Sequence, residues 1–210
     1  MTTQTTQNTV SISNGNKKMG AIPSVSLPPI ISCPNWKFCA NKEGKCLCYA
    51  KKLYNLYPSV KTAYDRNLEI LRNDRDSYFT QIKASAMTQR FFRFHVSGDI
   101  IDIDYLDRMV KLARELKGTE FLAFTKNYED VNEYFKNHRK PKNLHLIMSL
   151  PFTGATIDNP HNLPMAAVIL KGTEPQDDWK ICGGNCTECA CKGVGCWELK
   201  KGETIAFYEH

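Results

Sequence analysis

The nine cysteines of this 210-residue chain fall into two groups near its ends, with none between Cys48 and Cys182. Cys33, Cys39, Cys46 and Cys48 put four thiols within sixteen residues, and the Gly44, Lys42 and Lys45 between them offer little to a core. Such a segment gains little order from burial. A bound metal or inorganic cluster is the expected organiser, since thiolate ligation can supply roughly 10 kcal/mol or more of folding free energy. The second group has the spacing C-x3-C-x2-C-x-C-x4-C from Cys182 to Cys196, followed by Trp197. Zinc ribbons separate two C-x2-C knuckles by about a dozen residues or more. Tight runs suit iron–sulfur ligation, in which four thiolates hold a 4Fe-4S cube. Five cysteines for four places leave one spare. Cys191, crowded against Cys189, takes that role, and Cys182, Cys186, Cys189 and Cys196 are the expected ligands, with zinc as the alternative metal.

The remaining composition bounds the class of protein. The length suits one domain, and 42% hydrophobic and 24% charged residues are ordinary for a soluble globular chain. No run approaches the roughly 20 apolar residues of a membrane span. Met1 to Asn16 has neither a basic nor an apolar leader region, so a cytoplasmic protein is expected. In a reducing compartment nine thiols point to metal ligation or catalysis rather than to disulfides. The net charge of +6 is mild, with one basic knot at His138-Arg139-Lys140-Pro141-Lys142. It permits nucleic-acid contact without requiring it.

Along the chain, polar residues 1–20 read as a flexible arm with a turn at Asn14–Lys17. Prolines 23, 28 and 29 favour extended chain, and Ile30–Ser32 reads as a short strand entering Cys33. Helical periodicity runs from an N-cap at Ser59 to about Met87, broken near Asn73-Asp74. Strands are expected at Phe91–Val96, Glu120–Phe124, Leu144–Met148 and Met165–Leu170. Helices follow from a cap at Asp102 or Asp104 to Gly118 and over Tyr128–Phe135. This alternation is the signature of βαβ units. It predicts an α/β fold, a partial (β/α) barrel or an open parallel sheet of about five strands, with cysteine-rich segments at both ends. The boundaries are an arm at 1–20, an α/β domain at 21–180 that includes the cysteine loop 33–48, and a cluster-binding segment at 181–210.

In parallel α/β folds the site lies at the carboxyl ends of the strands. There the sequence places Cys33, Ser97-Gly98-Asp99, Lys126 and Ser149, so these are expected to share one rim with the first cysteine group. His95 is expected to point opposite to Phe94 and Val96, either as a core histidine or as a ligand or acid–base group. His138, His145, His161 and His210 show no metal-ligand spacing.

Several motifs together resemble the phage-encoded "gene product 88" family. They are Gly15-Asn16-Lys17, Cys33-Pro34 with Cys39 and Cys48-Tyr49-Ala50, Phe94-His95-Val96-Ser97-Gly98-Asp99, Phe121–Lys126, and the terminal cysteines ending in Cys196-Trp197. The resemblance covers most of the chain after residue 14 and places the protein in the host cytoplasm. More distantly, the layout is similar to minimal radical S-adenosylmethionine enzymes. That likeness implies an N-terminal 4Fe-4S cluster held by Cys33, Cys39 and Cys48, with one iron open to S-adenosylmethionine. It also implies that Ser97-Gly98-Asp99 holds the cofactor's amino group, and that a second, auxiliary cluster binds at the C-terminus. Such a centre donates one electron to the sulfonium and yields a 5′-deoxyadenosyl radical, with the protein supplying positioning and water exclusion. An electron donor is then a required partner, and His95, Lys126 and Ser149 are further cofactor-site residues. The superfamily spacing is C-x3-C-x2-C, against C-x5-C-x6-C-x-C here. Cys46 is thus an extra candidate ligand, and four bound thiols would leave no open iron. The alternative is a non-catalytic iron–sulfur or zinc protein acting in nucleic-acid binding or electron transfer.

Overall fold

The computed structural model describes residues 8–40, 46, 48–150 and 155–209. Its strands form one open sheet in the order β1-β2-β3-β4-β5-β6-β8-β7, eight strands rather than five. These are β1 (Ile12–Ser13), β2 (Ser24–Val25), β3 (Phe91–Phe94), β4 (Glu120–Thr125), β5 (Leu144–Ser149), β6 (Met165–Ile169), β7 (Lys180–Ile181) and β8 (Thr204–Tyr208). β1 runs antiparallel to β2, and every other neighbouring pair is parallel. The helices are α1 (Tyr49–Leu56), α2 (Pro58–Asn73), α3 (Arg75–Ala86), α4 (Ile103–Glu115), α5 (Tyr128–Asn137) and α6 (Cys186–Lys192). Among the described residues no helix is long and apolar enough to cross a membrane.

Side chains along the central strands alternate between two apolar layers, as strand geometry demands. Phe92, Phe94, Phe121, Ala123, Leu144, Leu146 and Met148 join a core with Leu71, Tyr78, Ile82, Leu106, Met109 and Val131 of α2 to α5. Phe91, Leu122, Phe124 and Ile147 face the other way, onto Trp197, Ala190, Ile205 and four C-terminal cysteines. Helices therefore cover one face of the sheet, and the cysteine-rich segment covers the other.

Helix starts follow short polar side chains. Asp74, Asp102, Asn127 and Asn185 each accept a hydrogen bond from a first-turn amide of α3, α4, α5 and α6 respectively, satisfying donors that have no partner within the helix. Ser59 is not a cap: α2 begins one residue earlier, with Pro58 in the first turn, where its missing N–H costs nothing.

Three further expectations are corrected. Ile30–Ser32 is not a strand. The strand is β2, between Pro23 and Pro28, and Ile30 has φ 70°, which no strand accommodates. Residues 8–20 are not a free arm, because Val10 and Met19 are buried. Buried Asn67 donates to the Ser11 and Ser26 carbonyls (3.0 and 2.9 Å) and accepts from the Ser11 amide (2.7 Å). Residues 1–7 lie outside the described part. Finally, His95 does not point away from Phe94. Its φ of 57° ends the strand in the left-handed region and turns the ring to the helix-covered side, against Tyr105 (5.3 Å between ring centroids).

Candidate functional site

The first cysteine group sits at the carboxyl ends of β2, β3 and β4. After β2 the chain crosses the end of β3, where the Leu27 amide donates to the Ser97 carbonyl (3.0 Å). Gly98 makes that crossing possible. It has φ 86°, and a Cβ there would lie 2.7 Å from both Leu27 Cβ and Ser32 Oγ. A 3-10 turn over Trp36–Cys39 then carries the loop past β4, where Asn35 donates its side-chain amide to the Lys126 carbonyl (2.8 Å). Phe38 stacks on Tyr128 (5.7 Å), whose hydroxyl in turn donates to the Ser149 carbonyl. The chain returns through a bridge between Ala40 and Cys46 and enters α1 directly after Cys48. The Tyr49 hydroxyl donates to the Val96 carbonyl (2.6 Å). Sequence reasoning missed Asn35, Tyr49 and Tyr128, although Tyr49 follows the last thiol of the group directly.

Within this loop Cys33, Cys39 and Cys48 act on one another. The Cys39 thiol donates to the Cys48 sulfur and holds Cys48 below the ordinary thiol range. Amides of Ala50 and Lys51, at the start of α1, add to the effect, and so does the positive charge of Lys126. Cys39 is pushed up by the same hydrogen bond and then by burial. Burial, followed by the Asp99 carboxylate, raises Cys33 to about 12. The charge of Lys126 favours the thiolate at all three positions.

Asp99 is buried and already committed. One carboxylate oxygen accepts from the Ile100 amide (2.7 Å) and the Thr125 hydroxyl (2.6 Å), and the other from the Lys126 amide (2.9 Å). It clamps the end of β3 to the end of β4. Burial still holds its pKa above the usual carboxylate value, against those hydrogen bonds. Ser97 differs. Its hydroxyl is buried at the same strand end and has no hydrogen-bond partner among the described residues, an unused capacity that native interiors rarely leave. His95 lies deeper. Its Nε2 is 2.9 Å from the Tyr105 hydroxyl, its Nδ1 has no partner among the described residues, and burial lowers its pKa to about 3.

The second group packs on the opposite face of the sheet. Cys182 follows β7 and donates its amide to the Ala206 carbonyl (2.9 Å). Cys186 and Cys189 stand one turn apart on α6, and Cys196 lies in a 3-10 turn over Gly195–Trp197. Burial raises all three of these thiols, Cys196 to about 12, and the neighbouring cysteines reinforce the rise. The opposing charge is that of Arg93 on β3, which hydrogen-bonds to Cys186 and also acts on Cys196. Arg93 also lies over the Phe124 ring (4.9 Å), and its Nε is buried without a partner among the described residues. This arginine escaped the sequence reading, yet a lone cation in Phe91-Phe92-Arg93-Phe94 was a signal, since buried charges require partners. Cys191 is exposed and lies outside the packed four.

The N-terminal turn closes over α6. Thr187 donates its hydroxyl to the Met19 carbonyl (2.8 Å) and accepts from the Ala21 amide (3.1 Å). Among the described residues no three His, Cys, Asp or Glu side chains converge closely enough to hold a single metal ion. No curated protein and no solved structure matches the chain. A family model described as Gene product 88 matches residues 2–203, nearly the whole length, and the chain belongs to that family.

Proposed function

We propose that this is an iron–sulfur protein with a 4Fe-4S cluster at each thiol group, and that the N-terminal cluster binds S-adenosylmethionine. One observation carries the reading. Three mutually interacting thiols stand at the carboxyl ends of parallel strands, under the positive charge of Lys126 and beside the unpartnered Ser97 hydroxyl. The donor chemistry fits a cluster better than a single ion, because cube ligands bind separate irons and need not converge on one point. When bound, such a centre supplies one-electron reduction of the sulfonium, and a reductant is the required partner.

The chain's own residues supply the rest. Lys126 offsets the charge of ionised Cys33, Cys39 and Cys48. The Ser97 hydroxyl is free to bond the cofactor's amino or carboxylate group, whereas Asp99 holds the rim together. Cys46, at the bridge with Ala40, is assigned no iron. At the second site Cys182, Cys186, Cys189 and Cys196 are the ligands, with Arg93 as the counter-charge. Reduced thiols of this kind suit the cytoplasm of a phage host.

Anaerobic purification tests this directly. About eight irons and eight sulfides per chain are expected, with a spectral change on adding S-adenosylmethionine. Cys46→Ala should keep the full iron content, and Cys48→Ala should lose about half. A colourless, iron-free protein that is fully folded would overturn the reading. Loss of the N-terminal cluster in Cys46→Ala would overturn the three-thiol assignment.

A further inference from the structure

At the opposite end of the strands the sheet opens into a groove of about 920 Å³, floored by Phe91, His145 and Trp197 at the amino ends of β3 and β5. Five cations from separate parts of the chain line it: Arg90 before β3, Arg114 and Lys117 at the end of α4, Lys142 before β5, and Lys192 of α6. The carboxylates that line it are Glu120 and Glu198, and Lys192 is held from outside the lining by Glu188 (2.7 Å). Glu120 is taken by His145 at 2.8 Å. The surplus of three positive charges is half of the chain's formal +6.

Some surface lysines hold carboxylates, as Lys61, Lys83, Lys111 and Lys136 do, and single lysines such as Lys51 and Lys171 stand without one among the described residues. What sets the groove apart is that its cations come from separate elements and line one cavity. In the groove, among the described residues, Arg90, Arg114, Lys117 and Lys142 form no ion pair. Arg114 instead donates to the Arg139 carbonyl (2.8 Å), and Arg90 lies over the Phe91 ring (5.1 Å). Like charges gathered without counter-charges repel one another, and the arrangement gains stability when an anion enters.

We propose that this groove binds single-stranded nucleic acid through its phosphates. The volume admits nucleotide-sized groups, a cationic channel over an apolar floor is how such strands are held, and the four unpaired cations supply phosphate contacts. Trp197 is 3% exposed, so it forms floor rather than a stacking platform. The site lies at the end of the strands opposite the first thiol group, and one wall of it, Ala190 to Gly193 with Trp197, belongs to the second thiol segment.

The test is fluorescence anisotropy of the full chain with a labelled single-stranded oligonucleotide across a salt series. Four phosphate contacts give a slope of log K against log salt of about −3, at about 0.7 per contact on single strands. The double variant Lys117→Gln/Lys142→Gln should reduce that slope by about 1.4. Lys61→Gln/Lys83→Gln removes the same net charge from ion-paired sites and should leave it unchanged. Both pairs are exposed, and circular dichroism confirms that each variant folds. Equal losses in the two variants, absence of binding, preference for duplex, or displacement of the strand by equimolar mononucleotide would each overturn the proposal.

Discussion

Lowering the pH from 8 to 5 should destabilise the protein by about 2 kcal/mol through His95 alone. The ring is buried among Phe94, Tyr105 and the helix-covered core, and its pKa in the fold is about 3, burial being the main cause and the charge of Arg93 the second. In the unfolded chain it returns to about 6.5. The folded state therefore binds fewer protons at every pH between these values. Stability is fully present above pH 6.5, and below it falls by about 1.4 kcal/mol per pH unit until pH 3. The integral to pH 5 is about 2 kcal/mol, a sizeable share of a typical folding free energy. Other groups titrate in this range, so the measurement is a difference. Urea unfolding of the wild type and of His95→Asn is followed at pH 8, 6.5 and 5. Asparagine tolerates the positive φ and deletes the titration, so the variant should be less stable at pH 8 yet lose about 2 kcal/mol less on acidification. Parallel pH profiles for the two proteins would refute the buried, neutral assignment.

Two further outcomes follow from particular contacts. Gly98→Ala should lower stability by roughly 1–3 kcal/mol, because a positive φ combines with two contacts at 2.7 Å. Thermal unfolding reads this, and an unchanged midpoint would mean that the β2–loop crossing is looser than described. Arg93→Met should weaken metal retention at the second thiol group by about 10-fold or more, the usual cost of losing an outer partner. Competition with a chelator measures it, and Arg93→Lys should recover part of the loss. Equal retention in wild type and Arg93→Met would remove Arg93 from that site.

Much of the helix-covered half was legible because its signals are local. Alternation in Phe91–Phe94 and Leu144–Ser149, and the 3.6-residue stripe of α4, needed no tertiary information to be read. The pieces that escaped depend on distant partners. β2 and β7 are two residues long and exist only because longer strands pair with them. β8 lies between β6 and β7 in space although it is last in the chain, so the C-terminal segment is part of the sheet as well as a carrier of thiols. Ile30–Ile31 looks like a strand on hydrophobicity, but Pro28 and Pro29 precede it and the chain must turn there to reach β3. The rim positions follow from chain order, since the parallel pairing of β2 to β8 brings their carboxyl ends to one side of the sheet. Which of them holds spare bonding capacity was not readable. Asp99 carries the charge in Ser97-Gly98-Asp99, yet its carboxylate is consumed internally and the serine is left unpaired.

The two thiol groups share one short strand. β3 carries the first group's rim beyond its end at Ser97–Asp99, and its Arg93 side chain reaches the second group on the sheet's other face. Between them stands Tyr49. The residue is 49% exposed, yet its hydroxyl is held against the Val96 carbonyl; desolvation of that hydroxyl acts on it first, then the charges of Arg93, Cys48 and Cys186. A residue adjacent to Cys48 thus lies within electrostatic reach of Cys186, more than 130 positions along the chain. Arg93 acts both on Cys186 and Cys196 of the second group and on Tyr49 beside the first. The physical link between the two groups is therefore β3, whose end forms the rim at one and whose Arg93 side chain reaches the other, rather than either cysteine-rich segment.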